Sequence, residues 1–266
     1  MKADFHLHST FSGDGKVPPE EIIRTAIQKG LTAICFTDHL DMDFPYTEFS
    51  FELDTEAYAS TIHTLQSKYA DQIEIYFGVE LGLQPHLGDY YRSYTSQFPF
   101  DFVIGSTHLI DGFDPYYPVF WESHSQETGI QSYLDITLEN IKATDTFDIY
   151  GHLDYIIRYV PAKEKVFPYS DYADMLDQIL KLLIEKGKGL EVNTGGYRAG
   201  LKVPNPCPDI LKRYLKLGGE IITIGSDAHT AEHVGSSFSL ACDILRACGF
   251  RYFTVFRERK PVFYPL

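Results

Sequence analysis

One recurrence constrains this chain more than any other feature. Short apolar runs are each followed at once by histidine, aspartate or glutamate. Ala3-Asp4-Phe5-His6-Leu7-His8 comes first. Residues 33–36 then run into Thr37-Asp38-His39, 73–77 into Gly78-Val79-Glu80, and 102–104 into Gly105-Ser106-Thr107-His108. Later, 147–150 runs into Gly151-His152, 189–192 into Asn193-Thr194-Gly195-Gly196-Tyr197-Arg198, and 221–224 into Gly225-Ser226-Asp227-Ala228-His229. Continuous apolar runs of this length are the pattern of strands buried on both faces, as in a parallel sheet. Helical stretches separate them. Pro18-Pro19-Glu20-Glu21 opens the first, Ile22, Ile23, Ala26 and Ile27 form its apolar stripe, and Gly30 stops it. Further helices are predicted over 54–69, 86–96, 131–143, 172–185, 209–216 and 239–247, with a last strand over 252–256. Residues 40–54 and the stretch holding Asp111, Trp121, Glu122 and His124 read as long loops.

The result is a βα unit repeated seven times plus a terminal strand. In a β/α barrel, function gathers at the C-terminal ends of the strands. A doubly wound sheet gathers it in one crevice instead. Here most strands carry ligand-type residues at that end, which favours a closed or nearly closed barrel. No linker or internal repeat divides the chain, so residues 1–266 are expected to form a single domain.

Composition narrows the function. The formal net charge of −14 argues against a nucleic-acid binder, which shows a basic face. The four cysteines (Cys35, Cys207, Cys242, Cys248) show no CxxC spacing, so neither a disulfide framework nor a thiolate zinc site is expected. No secretory segment or membrane span is expected, and the default location is cytoplasmic. A small-molecule enzyme fits this balance; the oligomeric state is not readable.

His6 and His8 lie two apart on a strand and share a face, which makes half of a metal cage. The other strand ends supply the rest. Imidazole and carboxylate together suit zinc, iron or manganese, and no thiolate is offered. The segments FHLHS, TDH, GVE, GSTH, GHLD and GSDAH, in this order from His6 to His229, resemble the PHP (polymerase and histidinol phosphatase) family. The full-length pattern with EVNTGGYR is similar to its histidinol-phosphate phosphatase branch. The resemblance implies an α/β fold, a distorted (β/α)7 TIM-like barrel of the PHP type, with a trinuclear centre. It implies three divalent metal ions, a mixture of Zn, Fe or Mn being compatible. His6, His8, Glu80 and Asp227 would hold the first, Glu80, His108 and His152 the second, and Asp14, His39 and His229 the third. The family often has histidine where this chain has Asp14.

The implied activity is hydrolysis of L-histidinol phosphate to L-histidinol and phosphate by a metal-activated hydroxide, a step of histidine biosynthesis. Glu80, Asp227, His229, Arg158 and Arg198 are the expected catalytic residues, with Asp227 and His229 as candidate proton donors. Arg158 and Arg198 follow strands that end at the active face, and a guanidinium binds phosphate through a rigid fork. Asp41, Asp43 and Glu48 are candidates for the substrate amine, and Trp121 with Tyr116 and Tyr117 for its imidazole. Asp38 and Asp154 are candidates for orienting imidazoles. The alternative is a PHP phosphoesterase for another small substrate such as a nucleotide or sugar phosphate. A non-catalytic barrel would be expected to have lost ligands. A deacetylase of the amidohydrolase kind would be expected to carry a strand-borne lysine or another ligand order.

Overall fold

The computed structural model describes residues 2–266. In chain order the elements are β1 (Ala3–Leu7), α1 (Pro19–Gln28), β2 (Ala33–Phe36), β3 (His39–Leu40), α2 (Thr55–Tyr69), β4 (Glu74–Gly82), α3 (Gly88–Gln97) and β5 (Phe102–Ser106). There follow α4 (Pro118–Ser123), α5 (Gln126–Ala143), β6 (Ile149–Tyr150), α6 (Ala173–Glu185), β7 (Gly189–Asn193), α7 (Gly195–Arg198), α8 (Pro208–Lys216), β8 (Ile222–Gly225), α9 (Phe238–Cys248), β9 (Tyr252–Arg257) and β10 (Lys260–Pro265). Strands β1, β2, β4, β5, β6, β7 and β8 pair in that order, all parallel, and β3 lengthens the sheet beside β4.

Closure is completed between β8 and β1. Leu7 bridges Ala228 in parallel. The Asp227 N–H donates to His6 O at 2.8 Å, and the His8 N–H donates to Ala228 O at 2.9 Å. Lower down, a side chain replaces the ladder. The buried Asp4 carboxylate accepts from the Ser226 N–H at 2.9 Å, the Ser226 hydroxyl at 2.6 Å and the Gly235 N–H at 2.8 Å. The barrel is therefore distorted at this seam, with a carboxylate doing the work of missing carbonyls.

The pairing of β1 with β2 contains one irregularity, between Asp4 and Leu7. It changes which residues face inward. Phe5 packs on the rings of Tyr76 and Phe102, with centroids 5.4 and 5.5 Å away. His6, the very next residue, also turns inward and meets Glu80. One strand thus supplies both the apolar floor and the polar site above it.

Helix boundaries follow local chemistry. Asp54 caps α2 by accepting from the Ala57 N–H at 3.0 Å. Helix α5 begins earlier than expected because Ser125 caps it, accepting from the Thr128 N–H. Four elements were not anticipated, among them β3, which pairs with β4, and α7, which forms the turn after β7. The short α4 lies within the expected loop after β5. The chain also ends in a two-stranded antiparallel hairpin, β9 with β10, rather than a lone strand. This hairpin plugs the floor of the barrel. Phe253, Val255 and Phe256 are buried there, and the Phe256 ring stacks on Phe102 at 5.0 Å.

No helix among the described residues is long and apolar enough to cross a membrane.

Phe256 lies at the end of the barrel away from the polar cluster. Truncation to alanine removes a buried ring and leaves a cavity, at a cost of about 3–5 kcal/mol. Phe256→Ala is therefore expected to lower the urea midpoint without changing turnover per folded molecule.

Candidate metal centre

The strand ends converge on one carboxylate. Glu80, on β4, is fully buried. Its Oε2 lies 3.0 Å from His6 Nε2, 3.4 Å from His8 Nε2 and 3.2 Å from His39 Nδ1. Its Oε1 lies 3.0 Å from His152 Nε2 and 3.4 Å from His108 Nε2, and accepts from the Ser106 hydroxyl at 2.6 Å. Asp227 Oδ1 stands 3.5 Å from His8 Nε2 and 3.8 Å from His6 Nε2. His229 Nε2 lies 3.1 Å from Asp14 Oδ2. All nine residues expected as ligands thus fall within one cluster at the C-terminal end of the barrel.

The residues fit a set of divalent cations. Three groups have donor atoms within 4.8 Å of one another: His6 with His8 and Glu80, His39 with Glu80 and His108, and His8 with His39 and His229. His8 Nε2, His39 Nδ1, His229 Nε2 and Asp14 Oδ1 are buried, and although carboxylate oxygens face the three nitrogens at 3.4, 3.2 and 3.1 Å, none is aligned for a hydrogen bond. Buried polar atoms are almost always satisfied, and orphans of both donor types in one space are what an ion would satisfy. His39 stands between two of the groups rather than only beside Asp14 and His229, so its place in the expected third set is shared with Glu80.

Charge in the cluster is strongly coupled. Burial would raise the pKa of Glu80, but His6 and His39, with bonds from His108 and His152, hold it well below the usual carboxylate range. Asp227 is likewise held low against burial, by His6, His8 and Arg158. Burial, with His229 and His39 nearby, pushes His8 well below the ordinary imidazole value. Burial also lowers His152. For His8 and His152 this favours the neutral imidazole, the form that binds metal.

Several imidazoles are oriented from behind. The His6 Nδ1–H donates to Glu191 Oε1 at 2.6 Å, which leaves Nε2 facing Glu80. The His108 Nδ1–H donates to Asp41 Oδ2 at 2.6 Å. His8 Nδ1 meets the Ser12 hydroxyl at 3.1 Å, and that hydroxyl donates to Asp38 Oδ1 at 2.9 Å. Glu191 was missed by the sequence reading, although a glutamate inside the apolar run of β7 was the available signal. Two glycines make room for these carboxylates. A Cβ on Gly225 would meet Glu191 Oε1 at 2.2 Å, and one on Gly82 would meet the Asp41 carboxyl carbon at 2.4 Å. Asp227 itself sits in the left-handed region at φ 54°, which turns its N–H to His6 O while its carboxylate faces the cluster.

Above the cluster lies a cavity of about 340 Å³. Phe44, Phe49, Phe51, Tyr116, Tyr117, Tyr155 and Tyr159 form its aromatic wall, with Asp41, Asp114, Lys16 and Arg158 as polar members besides the cluster. Arg158 reaches it as expected. It is buried, donating to Asp227 Oδ2 at 3.0 Å, Asn193 Oδ1 at 2.9 Å and Asn205 Oδ1 at 2.8 Å.

Of the other expected substrate contacts, Asp41, Tyr116 and Tyr117 line the cavity and the rest lie elsewhere. Arg198 does not line the cavity; its Nη2 donates to Ser226 O and Asp227 O, both at 2.7 Å, and so braces the β8 loop. Asp43 pairs with His86 on the surface at 2.9 Å. Glu48 accepts from the Tyr117 hydroxyl at 3.1 Å on the outer side. The Trp121 indole donates to Pro115 O and packs on Gly129, away from the cavity. Asp41 does line the cavity, but it is buried and engaged with His108. Asp154 accepts from Asn205 and Cys207, not from His152. Asp114, which sequence did not single out, is buried on the cavity wall, where burial pushes its carboxyl up to about 6 against the Tyr116 N–H bond.

Two outcomes test the centre. Dialysis against a chelator is expected to lower the melting temperature, and re-addition of zinc or manganese to restore it. An ion at a hundred times its Kd stabilises by about 2.7 kcal/mol, and Glu80→Ala is expected to abolish the metal-dependent shift. Glu191→Leu removes the acceptor behind His6 and is expected to weaken metal affinity by about 10–100-fold, as losses of such partners do. Glu191→Gln, whose carbonyl oxygen can still accept, is expected to recover most of it. Metal content against free metal concentration reads both.

Comparison with known proteins agrees with this geometry. Residues 4–195 match the model of the PHP domain family. A histidinol-phosphatase of Lactococcus lactis is 34% identical over 97% of this chain and 96% of its own length. A probable histidinol-phosphatase of Clostridium acetobutylicum is 31% identical, covering 98% of both chains. The crystal structure of histidinol phosphate phosphatase from Lactococcus lactis, complexed with zinc, L-histidinol and phosphate, superimposes with a TM-score of 0.90 at 32% identity over 98% of both chains. A barrel that gathers His, Asp and Glu from nearly every strand end, matched along its whole length by these relatives, belongs to the PHP domain family, in its histidinol-phosphatase branch.

Proposed function

We propose that the protein hydrolyses L-histidinol phosphate to L-histidinol and inorganic phosphate, as a metal-dependent phosphomonoesterase of histidine biosynthesis. The observation that carries this reading is the pairing of one site with one kind of wall. A cluster of histidines and carboxylates with unpartnered donor atoms lies at the bottom of a cavity whose sides are aromatic and carry a buried carboxylate. The substrate has matching ends: a phosphate dianion, and an imidazole with a protonated amine. The Lactococcus lactis relative was captured with zinc, L-histidinol and phosphate, which supports the same substrate here. Four cysteines, all free, suit the reducing cytoplasm.

Three divalent ions are the proposed complement: one on His6, His8, Glu80 and Asp227, one on Glu80, His108 and His152, and one on Asp14, His39 and His229. Zinc, iron and manganese all suit these donors. When bound, such ions acidify water and offset the charge of the phosphoryl group. The chain supplies the rest. Glu80 presents one oxygen to each side of the cluster and so fixes the spacing of the two sets. Arg158 is locked by three acceptors, and two of its five N–H donors remain for phosphoryl oxygens. Because it arrives already oriented, little is lost in ordering it during the reaction. Asp227, tied at Oδ2 to Arg158, presents Oδ1 beside His6 and His8, where it would serve as a ligand of the first ion. The aromatic wall excludes water and packs the imidazole. Asp114 meets the amine, in place of Asp43 and Glu48, which lie outside the cavity.

Phosphate release should be measured with L-histidinol phosphate beside nucleotides and sugar phosphates. Strong preference for histidinol phosphate, abolished in Glu80→Ala, is the expected result; even, weak turnover across the panel would refute this substrate. Asp114→Asn is expected to raise KM for histidinol phosphate by about tenfold or more, as loss of a partner for a charged group does. Its effect on phosphates lacking an amine should be small. Since the Asp114 carboxyl sits at about 6, the unliganded enzyme carries the anion above that pH and loses it below. KM should rise as pH falls through this range in the wild type, and this component should be missing in Asp114→Asn.

A further inference from the structure

Two cationic side chains besides the histidines line the cavity, Arg158 and Lys16, and they are held very differently. The Arg158 guanidinium is buried, with each of its three nitrogens already donating to a protein acceptor. Lys16 is exposed at the mouth, and among the described residues its ammonium makes no ion pair. The nearest acid in sequence, Asp14, turns to His229 instead, at 3.1 Å.

The backbone beneath Lys16 is fixed, unlike that of an ordinary surface lysine. The Lys16 N–H donates to His229 O at 3.1 Å, tying the β1–α1 loop to the loop after β8. On one side, Gly15 packs so closely that a Cβ there would meet Ser9 O at 1.7 Å, and its N–H donates to Ser12 O at 3.0 Å. On the other, Val17 is buried and its carbonyl accepts from the Thr10 N–H at 3.0 Å. The loop therefore delivers one free ammonium, on a flexible stem, to the side of the cavity formed by Asp14 and His229.

Charge gives that ammonium a task. Asp14, Asp41, Asp114 and Asp227 all line the cavity, so its wall is rich in carboxylates. A phosphate dianion entering it needs positive charge on more than one side. Arg158 provides that from the barrel interior, through a fork already shared with Asp227. A lysine is a compact point charge with three donors, able to follow an oxygen and release it.

We propose that Lys16 is a phosphate-recognition residue, its ammonium donating to a non-bridging oxygen of the phosphoryl group on the Asp14–His229 side of the cavity. This rests on the phosphomonoesterase reading above and adds a residue that neither the motifs nor the ligand set contains. The contact is made in the bound substrate and kept in the transition state, so Lys16 sets KM more than kcat.

The test uses metal-loaded wild type, Lys16→Ala and Lys16→Arg, with metal content and circular dichroism checked for each. Calorimetry measures inorganic phosphate and L-histidinol separately. Lys16→Ala is expected to weaken phosphate binding by about tenfold, as loss of a charge-assisted contact does, and to leave histidinol affinity unchanged. KM for histidinol phosphate should rise in parallel while kcat stays within about threefold, and Lys16→Arg should restore most of the phosphate affinity. Unchanged phosphate affinity in Lys16→Ala at full metal content overturns the proposal. An equal loss for phosphate and histidinol also overturns it, because that is the mark of a damaged loop. If wild type binds phosphate but does not turn over histidinol phosphate, the substrate reading fails while phosphate calorimetry still decides the role of Lys16.

Discussion

Everything at the active end of this barrel depends on keeping Glu80 ionised inside protein. A buried carboxylate is strongly disfavoured unless charge and hydrogen bonds compensate. Here the compensation comes from imidazoles on β1, the segment after β2, and the ends of β5 and β6, all aimed at its two oxygens. The dependence runs both ways. The histidines of these separate strands are gathered around Glu80, and breaking a buried charge network by removing its central member is far costlier than losing a surface pair. The closed barrel is what makes such convergence geometrically cheap, because every strand end points at the same axis. An open sheet with the same motifs would have spread them along a line.

Much of this was legible in the sequence, for a definite reason. Where a functional residue directly follows an apolar run, strand direction alone fixes where it points. His6, His8, His39, Glu80, His108, His152, Asp227 and His229 are of this kind, and the structure brings them into one cluster. Residues in long connections are not positioned by strand direction. Asp43, Glu48 and Trp121 looked suitable by chemistry, yet one meets His86, one accepts from Tyr117, and one packs on Gly129. Asp114 has no such pattern around it and enters the cavity only because its loop folds back beside Tyr116 and Tyr117.

The residues behind the ligands were hidden by a different cause. Glu191 sits inside a strand pattern, where a lone charge reads as an interruption, and its meaning needs His6, from the far end of the chain. Asp4 is similar: at a period of two it should share a face with His6, and the irregularity in β1 removes it to the seam with Ser226 and Gly235. No periodicity argument locates a bulge without knowing the partner strand. The glycines of these motifs are legible only afterwards. Gly225 is required because Glu191 occupies the space its side chain would fill, a statement about packing across the barrel rather than about a turn.

Arg198 is a residue whose position is legible in the sequence and whose partners are not. It lies after β7, at the active end, and it does bind oxygen. Its acceptors are the Ser226 and Asp227 carbonyls, with Ser236 on the other nitrogen. Asp227 holds a left-handed backbone conformation that aspartate tolerates but does not prefer. The Asp227 N–H is fixed by His6 O, its carboxylate by Arg158, and its carbonyl by Arg198. The two arginines thus divide one task, one holding the ligand side chain and the other the strained backbone beneath it. This explains why both lie near Asp227 although only one reaches the cavity.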